Sequence, residues 1–153
     1  MTTFTESALE RHCRRYREKD LLPAVVDPAS RQILLHVGAT HGAVTMPTEL
    51  GEQVLTRLRA GGIAGPVFAH PRARRWTFLT GPTRHEEFAA TAAAELFRLY
   101  TTVAGTGSQI VLPSPADEAS GYRLWIASPE VQGTRPPQHA VVDAARECAA
   151  DNR

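Results

Sequence analysis

Apolar residues recur at helical spacing in four stretches of this chain, with short apolar runs between them. Leu9, Cys13 and Tyr16 form a narrow stripe that predicts a first helix ending near Lys19. Thr5 can cap it, and Glu6 suits its first turn. Leu22 to Val26 is a short apolar run stopped by Asp27-Pro28-Ala29-Ser30, a good turn sequence. Ile33 to Val37 can return beside it as a hairpin, and His41 to Met46 reads as another strand. Thr48 can cap a helix with Leu50, Val54, Leu55 and Leu58 on one face, and Gly61-Gly62 ends it. Val67 to Ala69 and Arg75 to Leu79 read as strands around the loop His70 to Arg74.

Thr83-Arg84-His85-Glu86 fits a capping box, which starts a helix with Phe88, Ala92 and Leu96 inward. Leu99 to Val103 turns into a strand. Gly107 to Pro115 and then Gly121 to Trp125 read as strand, proline-rich turn and second strand, a last hairpin. Pro129 to Pro137 is a linker or surface loop, and Val141, Ala145 and Cys148 mark a final helix over about 138–149. Hairpins interleaved with helices predict an α+β domain over 1–153, with its core at about 7–129. Its sheet is antiparallel or mixed, with helices packed on it.

A chain of 153 residues, 42% hydrophobic and 22% charged, is large enough for one ordinary core. A net charge of +1 excludes a strongly basic nucleic-acid binder by bulk charge alone. Sixteen of the cationic residues are arginine and one, Lys19, is lysine. With the many alanines, this suggests a GC-rich genome, so arginine need not stand for guanidinium geometry. Cys13 and Cys148 lack metal spacing and read as reduced thiols, with a bridge between the terminal helices left open. The first residues carry no apolar signal core, and no apolar run approaches the roughly 18 residues a bilayer needs. The expectation is a cytoplasmic protein with no membrane contact.

Arg72-Ala73-Arg74-Arg75-Trp76 reads either as a phosphate-binding turn with a stacking face or as an exposed turn with a core tryptophan behind it. Arg123 and Trp125 alternate and so share a face, for a contact within the sheet or with a ligand. Arg11, Arg14, Arg15 and Arg17 make the first helix basic, offset by Glu10, Glu18 and Asp20. His36, His41, His70 and His85 have no metal spacing. Ser108 and Ser114 lack a nucleophile elbow, and Gly105-Thr106-Gly107 is too short for a phosphate loop. Asp117 and Glu118 read as solvated turn residues.

From about Ser7 to Pro129 the order of these segments resembles the primase/polymerase (Prim-Pol) domain at the N-terminus of bifunctional DNA primase/polymerases. The residues that carry the resemblance are Leu22-Pro23-Ala24-Val25-Val26-Asp27-Pro28, Ala43-Val44-Thr45-Met46-Pro47, Gly65-Pro66-Val67-Phe68 with Arg75-Trp76-Thr77-Phe78, and Tyr100 to Pro115. Short actinobacterial forms of the pattern look especially similar. In that family two alternating acids on one strand and a third from a neighbour hold divalent metals over a nucleotide, and a histidine completes the site. Here the corresponding positions read Thr45, Pro47, Thr102 and, for the histidine, Arg75. No Asp or Glu lies between Arg31 and Thr48 or between Arg98 and Pro115, so a small shift of alignment restores none.

The resemblance therefore implies a catalytically inactive, degenerate primase/polymerase-like domain with no catalytic residues, metal site or cofactor. Its expected role is regulatory or accessory, with weak binding of nucleic acid or nucleotide through Arg72, Arg74, Arg75, Trp76, Arg123 and Trp125. The alternative is a protein-interaction module, homodimeric or with another partner, that reuses the fold without nucleic acid.

Overall fold

A computed structural model describes residues 6–82, 90–129 and 135–152. The chain is α+β, with every described strand pairing antiparallel. Helix α1 spans Ala8–Glu18 and is followed by β1 (Ala24–Asp27) and β2 (Gln32–His36). Then come β3 (Gly42–Pro47), α2 (Thr48–Ala60), β4 (Val67–His70) and β5 (Arg75–Thr80). The remaining elements are α3 (Ala90–Arg98), β6 (Thr102–Val103), β7 (Gln109–Leu112), α4 (Pro115–Ser120), β8 (Leu124–Ala127) and α5 (Gln138–Asp151). Two sheets result, one ordered β1-β2-β7 and one ordered β6-β3-β5-β4-β8.

Successive side chains of a strand point to opposite faces, and here both faces of the larger sheet are covered. Val44, Met46, Val67, Trp76 and Phe78 pack with Val54, Leu55 and Leu58 of α2, Leu96 of α3, and Val141, Ala145 and Cys148 of α5. Ala43, Phe68 and Leu79 point the other way, into Ile33, Leu35 and Leu112 of the smaller sheet and Cys13 and Tyr16 of α1. Burial on two sides explains why Trp76 to Thr80 are all buried, with no polar alternation. Each large side chain so buried contributes roughly 1.5–3 kcal/mol. Gly51 lets α2 lie directly on the indole, since a Cβ there would stand 3.0 Å from Trp76 Cε3.

The β1–β2 and β4–β5 hairpins form as the turn sequences predict. Ser7 caps α1, accepting from the Glu10 amide at 3.1 Å, whereas the expected cap Thr5 lies outside the described residues. Thr48 does not cap α2. Pro47 occupies the cap position without a side-chain bond, and the Thr48 amide donates to Arg74 O at 3.0 Å, joining the helix start to the β4–β5 turn.

The expected last hairpin does not exist. β7 pairs with β2 in the smaller sheet and β8 with β4 in the larger. Between them α4 forms on a capping box: Ser114 accepts from the Asp117 amide, and Asp117 accepts from the Ser114 amide. Gly121, at φ 75°, ends the helix in the left-handed conformation that glycine adopts without strain. The register slips between Val67 and Phe68 of β4, so that Trp125 and Ala127 of β8 face opposite cores.

Cys13 and Cys148 are free, buried and on opposite sides of the larger sheet. Thr83 to Glu86 and residues 130–134 of the expected linker lie outside the described residues. Among the described residues, no helix is long and apolar enough to cross a membrane.

Candidate nucleic-acid interface

The positions that resemble the metal motifs meet on three adjacent strands. Thr45 of β3 lies opposite Thr77 of β5 and Thr102 of β6, and Pro47 lies opposite Arg75. Thr45 follows Ala43 by two residues, so it faces the same side, toward the smaller sheet. The Thr45 and Thr77 hydroxyls hydrogen-bond at 3.0 Å. Arg75 Nη2 donates to Tyr100 O at 2.8 Å and Thr45 O at 3.3 Å. These groups satisfy one another, and none is a carboxylate. Among the described residues, no three His, Cys, Asp or Glu side chains gather where they could hold a metal ion.

Beyond Pro47 and Arg75 the same end of the sheet carries a basic rim. A single turn of 3-10 helix, Pro71–Ala73, and Arg74 at φ 54° reverse the chain and leave Arg72 and Arg74 exposed. The Tyr122 ring forms the centre of the rim. His70 meets it edge-on at 4.7 Å, Arg123 Cζ lies 4.8 Å from its centroid, and Arg72 Cζ lies 5.7 Å away. Arg123 is also bonded to Asp117 Oδ2 at 3.1 Å. Asp117 is therefore not a solvated turn residue: it closes the α4 cap and orients Arg123. Burial, and then the Arg123 charge, hold the His70 pKa below its ordinary value. The rim borders a cavity of about 440 Å³, lined by Tyr122, Arg123 and Asp117 on one side and Arg31 and Gln32 on the other.

Three of the six expected contact residues are turned inward. Arg75 is half-buried and bonded to main-chain carbonyls. Trp76 is only 9% exposed and packs under α2, so it offers no stacking face. Trp125 lies edge-on to Phe68 and Tyr16, at 5.6 and 6.0 Å, and its Nε1 donates to Tyr16 Oη at 3.0 Å. Arg72 and Arg74 remain exposed at the rim, while the Arg123 side chain is only 12% exposed and is held by Asp117. The residues that sequence reasoning missed are Tyr122 and His70. Their signal was an aromatic next to Arg123 and a histidine next to the arginine turn, but the contact joins the end of β4 to the turn before β8, far apart in sequence.

Trp125 belongs to a polar knot inside the smaller core. Tyr16 Oη donates to Pro113 O at 2.6 Å and meets His12 Nε2 at 3.0 Å. Burial raises the Tyr16 pKa strongly and lowers that of His12, even with Glu118 3.6 Å from the imidazole. The hydroxyl uses its one proton on Pro113 and accepts from Trp125 and His12, which fastens α1 to the loop before α4 and to β8. Glu118 thus faces His12 across the α1–α4 contact. On the rest of α1, Arg14 pairs with Glu6 at 3.2 Å, while Arg17 Nη1 donates to Cys13 Sγ and Ala24 O, each at 3.1 Å.

No protein-family model, curated protein or solved structure matches this chain.

Proposed function

We propose that this chain is a non-catalytic, primase/polymerase-like domain that binds the phosphates of nucleic acid or a nucleotide weakly, in an accessory or regulatory role. One observation carries the reading. Beyond the end of the strand face that bears Thr45, Thr77 and Thr102, a tight turn exposes Arg72 and Arg74, and Arg72 and Arg123 flank Tyr122, whose other neighbours line a cavity. Exposed guanidinium groups neutralise phosphate, whereas threonine hydroxyls are poor ligands for hard cations.

Arg75 is engaged with carbonyls, so Arg72 and Arg74 are the two turn arginines free for backbone contact. The log–log dependence of affinity on salt should then have a slope of roughly −1 to −2. Fluorescence anisotropy with labelled single- and double-stranded oligonucleotides at low salt measures it. R72A/R74A should weaken binding at every sequence and flatten the slope, and primer extension with Mg²⁺ or Mn²⁺ should incorporate nothing. Absence of binding, or binding indifferent to R72A/R74A, removes the nucleic-acid reading. Metal-dependent extension that survives further purification removes the non-catalytic one.

A second reading, a protein-interaction or homodimer module, is favoured by Phe97 and Tyr100. They are 83% and 75% exposed beside the short edge strand β6. Concentration-dependent dimerisation abolished by F97S/Y100S would support it.

A further inference from the structure

The other end of β3 holds a second collection of polar groups. Gly42 pairs with Thr80 at that end and Pro47 with Arg75 at the rim end, so the two lie roughly 17 Å apart along the strand. Just before Gly42, His41 lines a cavity of about 450 Å³ with Thr40, Arg17 and Arg135. Leu21, Leu22 and Pro23 supply an apolar wall, and among the described residues no carboxylate lines it.

The donors here are not satisfied. His41 is 3% exposed, and its Nε2 is buried with no hydrogen-bond partner. Its Nδ1 lies 2.8 Å from Thr40 Oγ1. If the threonine donates to Nδ1, the proton sits on Nε2, the atom left without an acceptor. Burial, and then the Arg135 charge, lower the His41 pKa to about 4, so the ring is neutral. Arg135 Nε is also buried and unpartnered, and burial lowers the pKa of that guanidinium. Arg17 adds a second positive charge, directed by its bonds to Cys13 and Ala24.

A half-buried cation without a counter-charge and a buried donor without an acceptor are each costly. Leu21 adds strain: it stands at φ 55°, where a non-glycine residue costs about 1–2 kcal/mol, and is 73% exposed on the cavity wall. A single oxyanion answers both unsatisfied groups, and the apolar wall suits a hydrocarbon body beside it.

We propose that this cavity binds a small organic anion. Its oxyanion head, carboxylate or phosphate, pairs with Arg135 and accepts from His41 Nε2–H, and its apolar body lies on Leu21, Leu22 and Pro23. The site is separate from the rim and does not depend on nucleic-acid binding.

Calorimetry and thermal shift with acetate, inorganic phosphate, hexanoate and hexyl phosphate test it on the full chain. Hexanoate or hexyl phosphate should bind saturably and raise Tm. Whichever of the two binds tighter names the head, and acetate or phosphate should bind more weakly than its hexyl counterpart. R135Q should weaken the preferred ligand about tenfold or more, the loss of a charge-assisted pair. R17Q should weaken it less, and both variants should leave oligonucleotide binding unchanged. Should R135Q fail to fold, R135K is the second variant. It keeps the charge but loses the planar fork, and a severalfold weaker affinity is expected. The proposal is overturned if none of the four anions binds below about 10 mM, or if Arg135 variants that fold bind as tightly as the native chain.

Discussion

Strand β3 ends in two unlike polar environments. At the Pro47 end, Thr45, Thr77 and Arg75 each have a named partner within the fold. At the Gly42 end, His41 Nε2 and Arg135 Nε are buried with none. The first arrangement is architecture: polar groups withdrawn from water bond to one another and fix three strands. The second leaves donors for which the described residues supply no acceptor.

Acid should separate the two ends most strongly. The folded pKa of His41, about 4, lies below its ordinary 6.5, so between these values the unfolded chain binds more protons. Stability contributed by neutral His41 is therefore present above about pH 6.5 and is lost as pH falls toward 4. The expected loss is roughly 3 kcal/mol. Urea denaturation of the native chain and H41N across this range should show a shallower pH slope for the variant, whatever its offset. Equal slopes would mean that His41 is solvated and not the buried donor described.

Arg75→Ala probes the satisfied end. It leaves Tyr100 O and Thr45 O without their guanidinium donor and should cost about 1–2 kcal/mol in denaturation, while oligonucleotide affinity stays near the native value. Affinity reduced as far as in R72A/R74A would move Arg75 from architecture to the binding face. The smallest effect belongs to the threonine pair. T45V and T77V should each cost about 1 kcal/mol, and the double variant less than their sum, because removing both hydroxyls leaves neither unpaired. Strict additivity would mean that the 3.0 Å contact carries no coupling.

Much of the local structure was legible. The turn at Asp27 to Ser30 and the apolar runs on each side specify β1 and β2, because residues close in sequence meet at little entropic cost. The same holds for β4 and β5 around Pro71 to Arg74, and for the apolar face of α2. The six-residue α4 was missed because its signal is a capping box in a proline-rich segment too short to show periodicity. The loss of the last hairpin followed, since inserting α4 lets β7 and β8 join different sheets.

The candidate sites divide along the same line. The sequence alone determined that Thr45, Pro47, Thr102 and Arg75 carry no acid, and that Arg72 and Arg74 sit in a tight turn. Only the tertiary structure decided that Arg75, Trp76 and Trp125 turn inward, that Tyr122 stands between Arg72 and Arg123, and that His41 shares a cavity with Arg135. Side-chain type and local pattern are written in neighbouring residues. Burial and hydrogen-bond partners depend on which distant segments pack together, as Tyr16 with Pro113 and Trp125 does here, and no local period encodes that choice.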